Sequence, residues 1–160
     1  MSNSLENSLF GQALKAGLQA SENKSKNLSS INEVIEKLKL EISQATDNKI
    51  LIQYKSPAKR NHLAAFGVLG SALSSLEIND KPKDEKPKDK AIYAVNSEGD
   101  EELLSIVEIG SEGYPCTIFL DGNKLIALDK MSFESNLSEL ISSATIGDKF
   151  QRLLNALNNE

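Results

Sequence analysis

The residue types that most often carry out chemistry are scarce in this sequence. Among its 160 residues, Cys116 is the only thiol and His62 is the only imidazole. A cysteine nucleophile needs a base, and His62 is the only histidine that could serve. Cys116 alternates with Ile118 and Leu120 along an apolar segment, and apolar surroundings raise the pKa of a thiol and make it inert. The pattern favours a buried structural cysteine, with a cysteine hydrolase as the alternative.

Patterns typical of metal or cofactor binding are not found. One cysteine and one histidine cannot supply the common zinc-binding patterns, and one cysteine cannot form an intrachain disulfide. The acidic cluster Glu98, Asp100, Glu101 and Glu102 lacks the alternating spacing and central glycine of a calcium loop. There is no phosphate-binding loop, nucleophile elbow or dinucleotide fingerprint. We therefore expect a protein without cofactor, without metal and without enzymatic activity.

One cluster of basic residues has no acidic residues to offset it. It flanks Ser56-Pro57, which ends a predicted strand, so we expect it on an exposed turn that could contact phosphate. Its members are Lys55, Lys59, Arg60 and His62. The formal net charge of −5 argues against broad binding to nucleic acid or anionic membranes. Nucleic-acid binding through the turn at 55–62 is therefore the second hypothesis for function, and not the first.

The N-terminal segment is predicted to form a weak amphipathic helix over residues 4–20. Its apolar stripe includes Leu9, Phe10 and Leu14 at helical spacing. Gly11 and Gly17, inside the predicted helix, each cost roughly 1 kcal/mol relative to alanine. Such a helix needs tertiary contacts or a partner to persist. Residues 21–29, SENKSKNLS, are predicted to form a polar linker.

A second helix is predicted to begin at Ser30, which has capping-box spacing with Glu33. Its apolar residues recur at steps of four and three, as in a short heptad seam. They include Ile31, Ile35, Leu38 and Ile42. Packing of this seam onto a sheet of the same chain is the favoured interpretation, and a helix pair or a homodimer is the alternative.

Alternating apolar patterns predict a sheet in the rest of the chain. The predicted strands are residues 49–55, 91–95, 103–109, 116–120 and 124–128. Asp121-Gly122 supplies the positive φ that a tight hairpin needs between the last two strands. Residues 61–76 fit either a helix or a strand, with the helix favoured. Residues 79–90, NDKPKDEKPKDK, are predicted to be an exposed charged loop, because they have nothing to bury.

Two short helices are predicted after the sheet. Ser132 is expected to cap the first of them, Gly147 to end it, and Asp148 to cap the second. The chain is thus predicted to be α+β, with an antiparallel sheet of about four to five strands flanked by N-terminal and C-terminal helices. Residues 1–29 would form an N-terminal helix and linker, and residues 30–160 a single α+β domain.

These features predict a non-enzymatic protein-interaction module of adaptor, inhibitor or assembly-chaperone type. Its protein partner is unknown, and a homodimer is one arrangement that the amphipathic helices suggest. The residues predicted to make the contacts are Leu9, Phe10 and Leu14 of the first helix and Ile31, Ile35, Leu38 and Ile42 of the second. No signal peptide or membrane-spanning stretch is evident, so we expect a cytoplasmic protein without membrane contact.

Overall fold

Within residues 8–57 and 89–158, five strands form one antiparallel sheet, in which each described strand lies beside the next one along the chain. The structure is a computed structural model, and it describes residues 8–57 and 89–158. In chain order its elements are α1 (Leu9–Ala45), β1 (Ile50–Lys55), β2 (Lys90–Asn96), β3 (Glu101–Gly110), β4 (Gly113–Leu120), β5 (Asn123–Ala127), α2 (Lys130–Ser142) and α3 (Ala144–Ala156). The helices precede and follow the sheet, which confirms the predicted α+β fold.

The alternation of side chains along each strand gives the sheet an inner face that the helices cover. On β1, Ile50 and Ile52 are buried on this inner face, whereas Leu51 and Gln53 are exposed on the outer one. The inner face also carries Ile92, Ala94, Val107, Cys116, Ile118 and Ala127. The core is therefore built mostly from aliphatic side chains between the sheet and the helices.

The predicted hairpin between β4 and β5 is present. Asp121 has a φ of 49° and Gly122 a φ of 82°, which are the two positive values that a two-residue hairpin turn requires. Leu120 and Asn123 face each other at the start of the ladder. The register places Cys116 opposite Ala127 in the core.

Helix α1 is one continuous helix of 37 residues, about 55 Å long. It begins after Ser8, whose side chain accepts a hydrogen bond from the Gly11 amide, and runs through residues 21–29 without a break. The prediction of a linker there is wrong. These residues are polar, but none of them is glycine or proline, and Glu22 and Lys26 form an ion pair one turn apart at 2.8 Å.

The C-terminal half of α1 packs on the inner face of the sheet. Ile31, Val34 and Ile35 are buried there. Ser30, predicted to cap a second helix, lies inside α1, and its hydroxyl is hydrogen-bonded to the hydroxyl of Tyr114 at 2.9 Å. The predicted start of a helix at Ser30 is therefore wrong, although its apolar seam does contact the sheet.

The boundaries of the C-terminal helices also differ from the predicted ones. Asp129 caps α2, and Ser132 is the third residue of the helix. The two form a capping box, in which the Ser132 hydroxyl oxygen accepts a hydrogen bond from the Asp129 amide. Ser143 caps α3, which continues through Gly147 and Asp148. The predictions of Ser132 as a cap and of a boundary at Gly147 are wrong.

Some predicted features lie outside the described residues. They are the ambiguous segment 61–76 and most of the charged loop at 79–90. At the end of that loop, Asp89 is exposed and Lys90 is the first residue of β2.

Candidate functional site

The N-terminal half of α1 extends beyond the sheet as an arm, residues 9–26. Every side chain from Gln12 to Lys26 is exposed, as are those of Leu9 and Phe10. In the part of the chain that the structure describes, the first hydrogen bond from α1 to the elements that follow it is made by Asn27, to the turn between β3 and β4. An arm of 18 residues is about 27 Å long.

The base of the arm rests on the turn between β3 and β4. The side-chain amide of Asn27 donates to the carbonyl oxygen of Glu112 at 2.9 Å. At Gly113, an added Cβ would lie only 2.7 Å from the Cβ of Asn27. The absence of a side chain at Gly113 therefore lets the helix approach the turn closely, and the contact fixes where the arm leaves the sheet.

The distal part of the arm, residues 9–18, is called the tip here, because it carries an exposed apolar stripe. Phe10, Leu14 and Leu18 follow each other at steps of four residues, so they share one side of the helix. With Leu9, these side chains are between 65% and 84% exposed. Residues 19–26, QASENKSK, are polar. The arm therefore presents an apolar tip on a polar helical stalk.

An open groove with a volume of about 340 Å³ runs between α1 and α2. Its apolar lining consists of the half-buried Leu38, Ile42 and Ile141. The buried Val34 of α1 and Leu137 of α2 form its floor. The groove is thus an apolar cleft open to solvent along the two helices.

Ion pairs join the two helices along the groove. Lys37 pairs with Glu134, and Lys130 pairs with Glu33 at 2.6 Å. Hydrogen bonding to Glu134 raises the pKa of Lys37. The partners in both pairs are 97 positions apart, so the pair that lies further along α1 also lies further along α2. The two helices therefore run parallel.

The predicted contact residues divide into three groups. Leu9, Phe10 and Leu14 lie in the exposed tip. Ile31 and Ile35 are buried in the core of this chain. Leu38 and Ile42 line the groove. Only the first and third groups are therefore accessible in this conformation.

Sequence reasoning did not identify α2 as part of a binding surface. Leu137 and Ile141 follow a helical apolar pattern, which predicts a buried side of the helix. That they also face a groove depends on the position of α2 beside α1, for which the sequence has no local signal.

Cys116 is fully buried at 0% exposure, and burial raises the pKa of its thiol to about 12. Its neighbours across the ladder are Ile109 and Ala127. The other candidate, His62, lies outside the described residues. A thiol in this environment is protonated at neutral pH and is not accessible to a substrate.

The candidate anion-contact residues are only partly described, since Lys59, Arg60 and His62 lie outside the described ranges. Lys55 donates to a carboxylate oxygen of Glu101 at 2.6 Å, and its ammonium lies 4.7 Å from the centroid of the Tyr93 ring. Its charge is therefore already paired within the chain.

The acidic cluster at 98–102 is similarly occupied by contacts within the fold. Glu102 accepts a hydrogen bond from Arg152 at 2.9 Å, and this bond lowers the pKa of the Glu102 carboxyl. Asp100 accepts from the buried side chain of Asn96 at 3.1 Å. Within residues 8–57 and 89–158, no group of three or more potential ligands could hold a metal ion.

Comparison with known proteins finds no matching family, no matching curated protein and no matching solved structure. Among the helices of the described ranges, none combines the length and the apolar character needed to cross a bilayer.

Proposed function

We propose that this protein is a non-enzymatic, cytoplasmic interaction module that presents the tip of α1 to a protein partner. The observation that carries the proposal is the exposure of three large apolar side chains, Phe10, Leu14 and Leu18, on one side of a helix held away from the sheet. Contiguous apolar surface of this kind is typical of interaction sites. The adaptor, inhibitor and assembly-chaperone classes all suit such a surface.

The spacing of the stripe indicates how a partner would bind. Phe10, Leu14 and Leu18 are the anchors expected when an amphipathic helix lies in an apolar groove. The arm carries Lys15, Lys24 and Lys26 against one glutamate, Glu22, in a chain whose overall charge is negative. We therefore expect a partner groove with an acidic rim, since charge complementarity accelerates and orients association.

The affinity contributed by the tip can be approximated from burial. Transfer of a leucine or phenylalanine side chain from water into an apolar groove contributes about 1.5–3 kcal/mol. The change Leu14→Ala removes most of one such side chain, so we expect binding to weaken about tenfold or more. The same change should leave the fold intact, because Leu14 is exposed.

Site-specific photo-crosslinking in extract of the native host tests the proposal. A photoreactive side chain at Leu14 should give discrete adducts that excess unlabelled protein suppresses and excess Leu14→Asp protein does not. The matched control is Gln12, which is exposed on the opposite side of the same helix. Adducts of equal yield at both positions, or none at Leu14, would rule out the tip as the binding surface.

The other two hypotheses have less support. Lys55 is paired with Glu101, so no observation on the described residues favours nucleic-acid binding. The buried Cys116 likewise offers nothing to support a hydrolase. Homodimerisation remains compatible with the tip as the contact surface.

A further inference from the structure

We infer that the partner of the tip is a second copy of this chain, whose groove between α1 and α2 receives the tip. This inference rests on the proposed function, because it assigns an occupant to the same exposed stripe. The groove supplies what the spacing of the stripe requires, namely an apolar cleft along a helix.

The dimensions of the two surfaces agree. Phe10, Leu14 and Leu18 extend over eight residues of helix, about 12 Å, as do Val34, Leu38 and Ile42 along the groove. A cavity of about 150 Å³ is large enough for a benzene molecule. The 340 Å³ of the groove therefore has space for about two large apolar side chains of the tip.

The charges of the two surfaces are opposite. The arm has an excess of two positive charges, from three lysines and one glutamate. The groove-forming part of α1, residues 27–45, and α2 together have three lysines and five glutamates, an excess of two negative charges. Glu41 lies on the groove rim, and its nearest cation, Lys37, is 4.0 Å away and bonded to Glu134. Glu41 is thus placed to form an ion pair with a lysine of an incoming arm.

The tip cannot occupy the groove of its own chain. Leu14 and Leu38 are 24 residues apart on one continuous helix, which places them about 36 Å apart along its axis. Occupation therefore requires another molecule. Because the tip and the groove are different surfaces, two copies can exchange tips and form a closed symmetric dimer, or each copy can bind the next in an open chain. Both assemblies have a mass above that of one chain.

The test uses the full chain in sedimentation equilibrium over a range of concentrations. Wild type should have at least twice the mass of one chain, and Leu14→Asp in the tip should raise the dissociation constant at least tenfold. Ser138→Tyr fills the groove from an exposed position and should do the same. The matched controls are Gln12→Asp and Ser135→Tyr, exposed positions outside the stripe and the groove, which should leave the mass unchanged.

Mixing the two defective variants makes the test specific. Leu14→Asp keeps an intact groove and Ser138→Tyr keeps an intact tip, so their mixture should regain association that neither variant shows alone. The inference would be overturned if Leu14→Asp abolishes association and Ser138→Tyr leaves it unchanged, because the tip would then bind a surface other than the groove. If Ser138→Tyr lacks the circular dichroism spectrum of Ser135→Tyr, Glu41→Lys replaces it and should weaken association by charge repulsion.

The outcomes also separate this inference from the proposed function. A wild-type protein that is monomeric at all concentrations but gives specific adducts at Leu14 with another protein would overturn the inference and leave the proposed function intact. A monomer without such adducts would overturn both.

Discussion

Replacing Gly113 with alanine tests whether α1 is seated on the turn between β3 and β4. Gly113 has a φ of +92°, and a Cβ at this position would lie 2.7 Å from the Cβ of Asn27. Two costs therefore add. A residue with a Cβ at positive φ costs about 1–2 kcal/mol, and forcing an extra methyl group into a closely packed contact costs about 1–3 kcal/mol. We expect Gly113→Ala to lower the free energy of unfolding by about 2–5 kcal/mol.

Gly122→Ala is the matched control for the conformational cost. Gly122 has a φ of +82°, but an added Cβ there would meet no atom within 4 Å. We expect this change to cost only about 1–2 kcal/mol. Urea unfolding of the two variants should therefore differ by about 1–3 kcal/mol, the part that comes from the approach of α1.

A double mutant identifies the contact. In the background of Asn27→Gly, the nearest atom to the new methyl group is absent, while the backbone atoms of Asn27 and Leu28 remain 3.3–3.4 Å away. Gly113→Ala should therefore cost less than in wild type, by about 0.5–2 kcal/mol. Equal costs for Gly113→Ala and Gly122→Ala, without coupling to Asn27, would refute the close seating of the helix on the turn.

Three other perturbations test separate parts of the fold. Asn96→Ala removes a buried side-chain amide, whose nitrogen donates to the Leu153 carbonyl oxygen at 3.1 Å and whose oxygen accepts from the Glu98 and Asp100 amides. It should lower the free energy of unfolding, measured with urea, by about 2–3 kcal/mol. A decrease below about 0.5 kcal/mol would contradict a structural role for this side chain. Burial raises the pKa of Cys116 from 9.0 to about 12, so the folded state holds this proton more tightly than the unfolded chain. Stability should therefore fall as the pH rises from 9 towards 12, and an equally steep fall in Cys116→Ala would exclude the thiol as a cause. Where the chain is monomeric, Ile35→Ala should lower the free energy of unfolding by about 2–5 kcal/mol, and Leu14→Ala by less than about 0.5 kcal/mol. Equal decreases for the two variants would contradict the division of α1 into a core half and an exposed arm.

The sheet was predictable because its signals are local. Alternation predicted the strands to within a few residues, and Asp121-Gly122 predicted the hairpin, since the turn requires positive φ at both positions. These signals depend only on residues that are adjacent in the chain or directly opposite across a ladder.

The helix boundaries were less predictable because polar residues have more than one use. Residues 21–29 are polar enough for a linker, but their side chains tolerate a helix, and the folded half of α1 provides a nucleus from which the helix extends. Serine is a residue type that often caps helices, but Ser132 is the third residue of α2. Its side chain accepts a hydrogen bond from the backbone of the cap residue, Asp129. Gly147 is the fourth residue of α3, whose start is set by the cap Ser143. A glycine weakens a helix by only about 1 kcal/mol relative to alanine, so it does not by itself end one.

The candidate site shows the same limit for apolar residues. Leu14 and Ile35 both lie in amphipathic patterns, and the sequence analysis predicted both to be contact residues. In the structure Ile35 is buried against the sheet, while Leu14 lies on the arm beyond its edge. Periodicity determines which side of a helix is apolar, but the extent of the sheet beneath it determines where that side is covered. The part of the stripe that continues beyond the sheet does not contribute to the core. Core packing therefore does not explain its apolar side chains, whereas binding to another surface does.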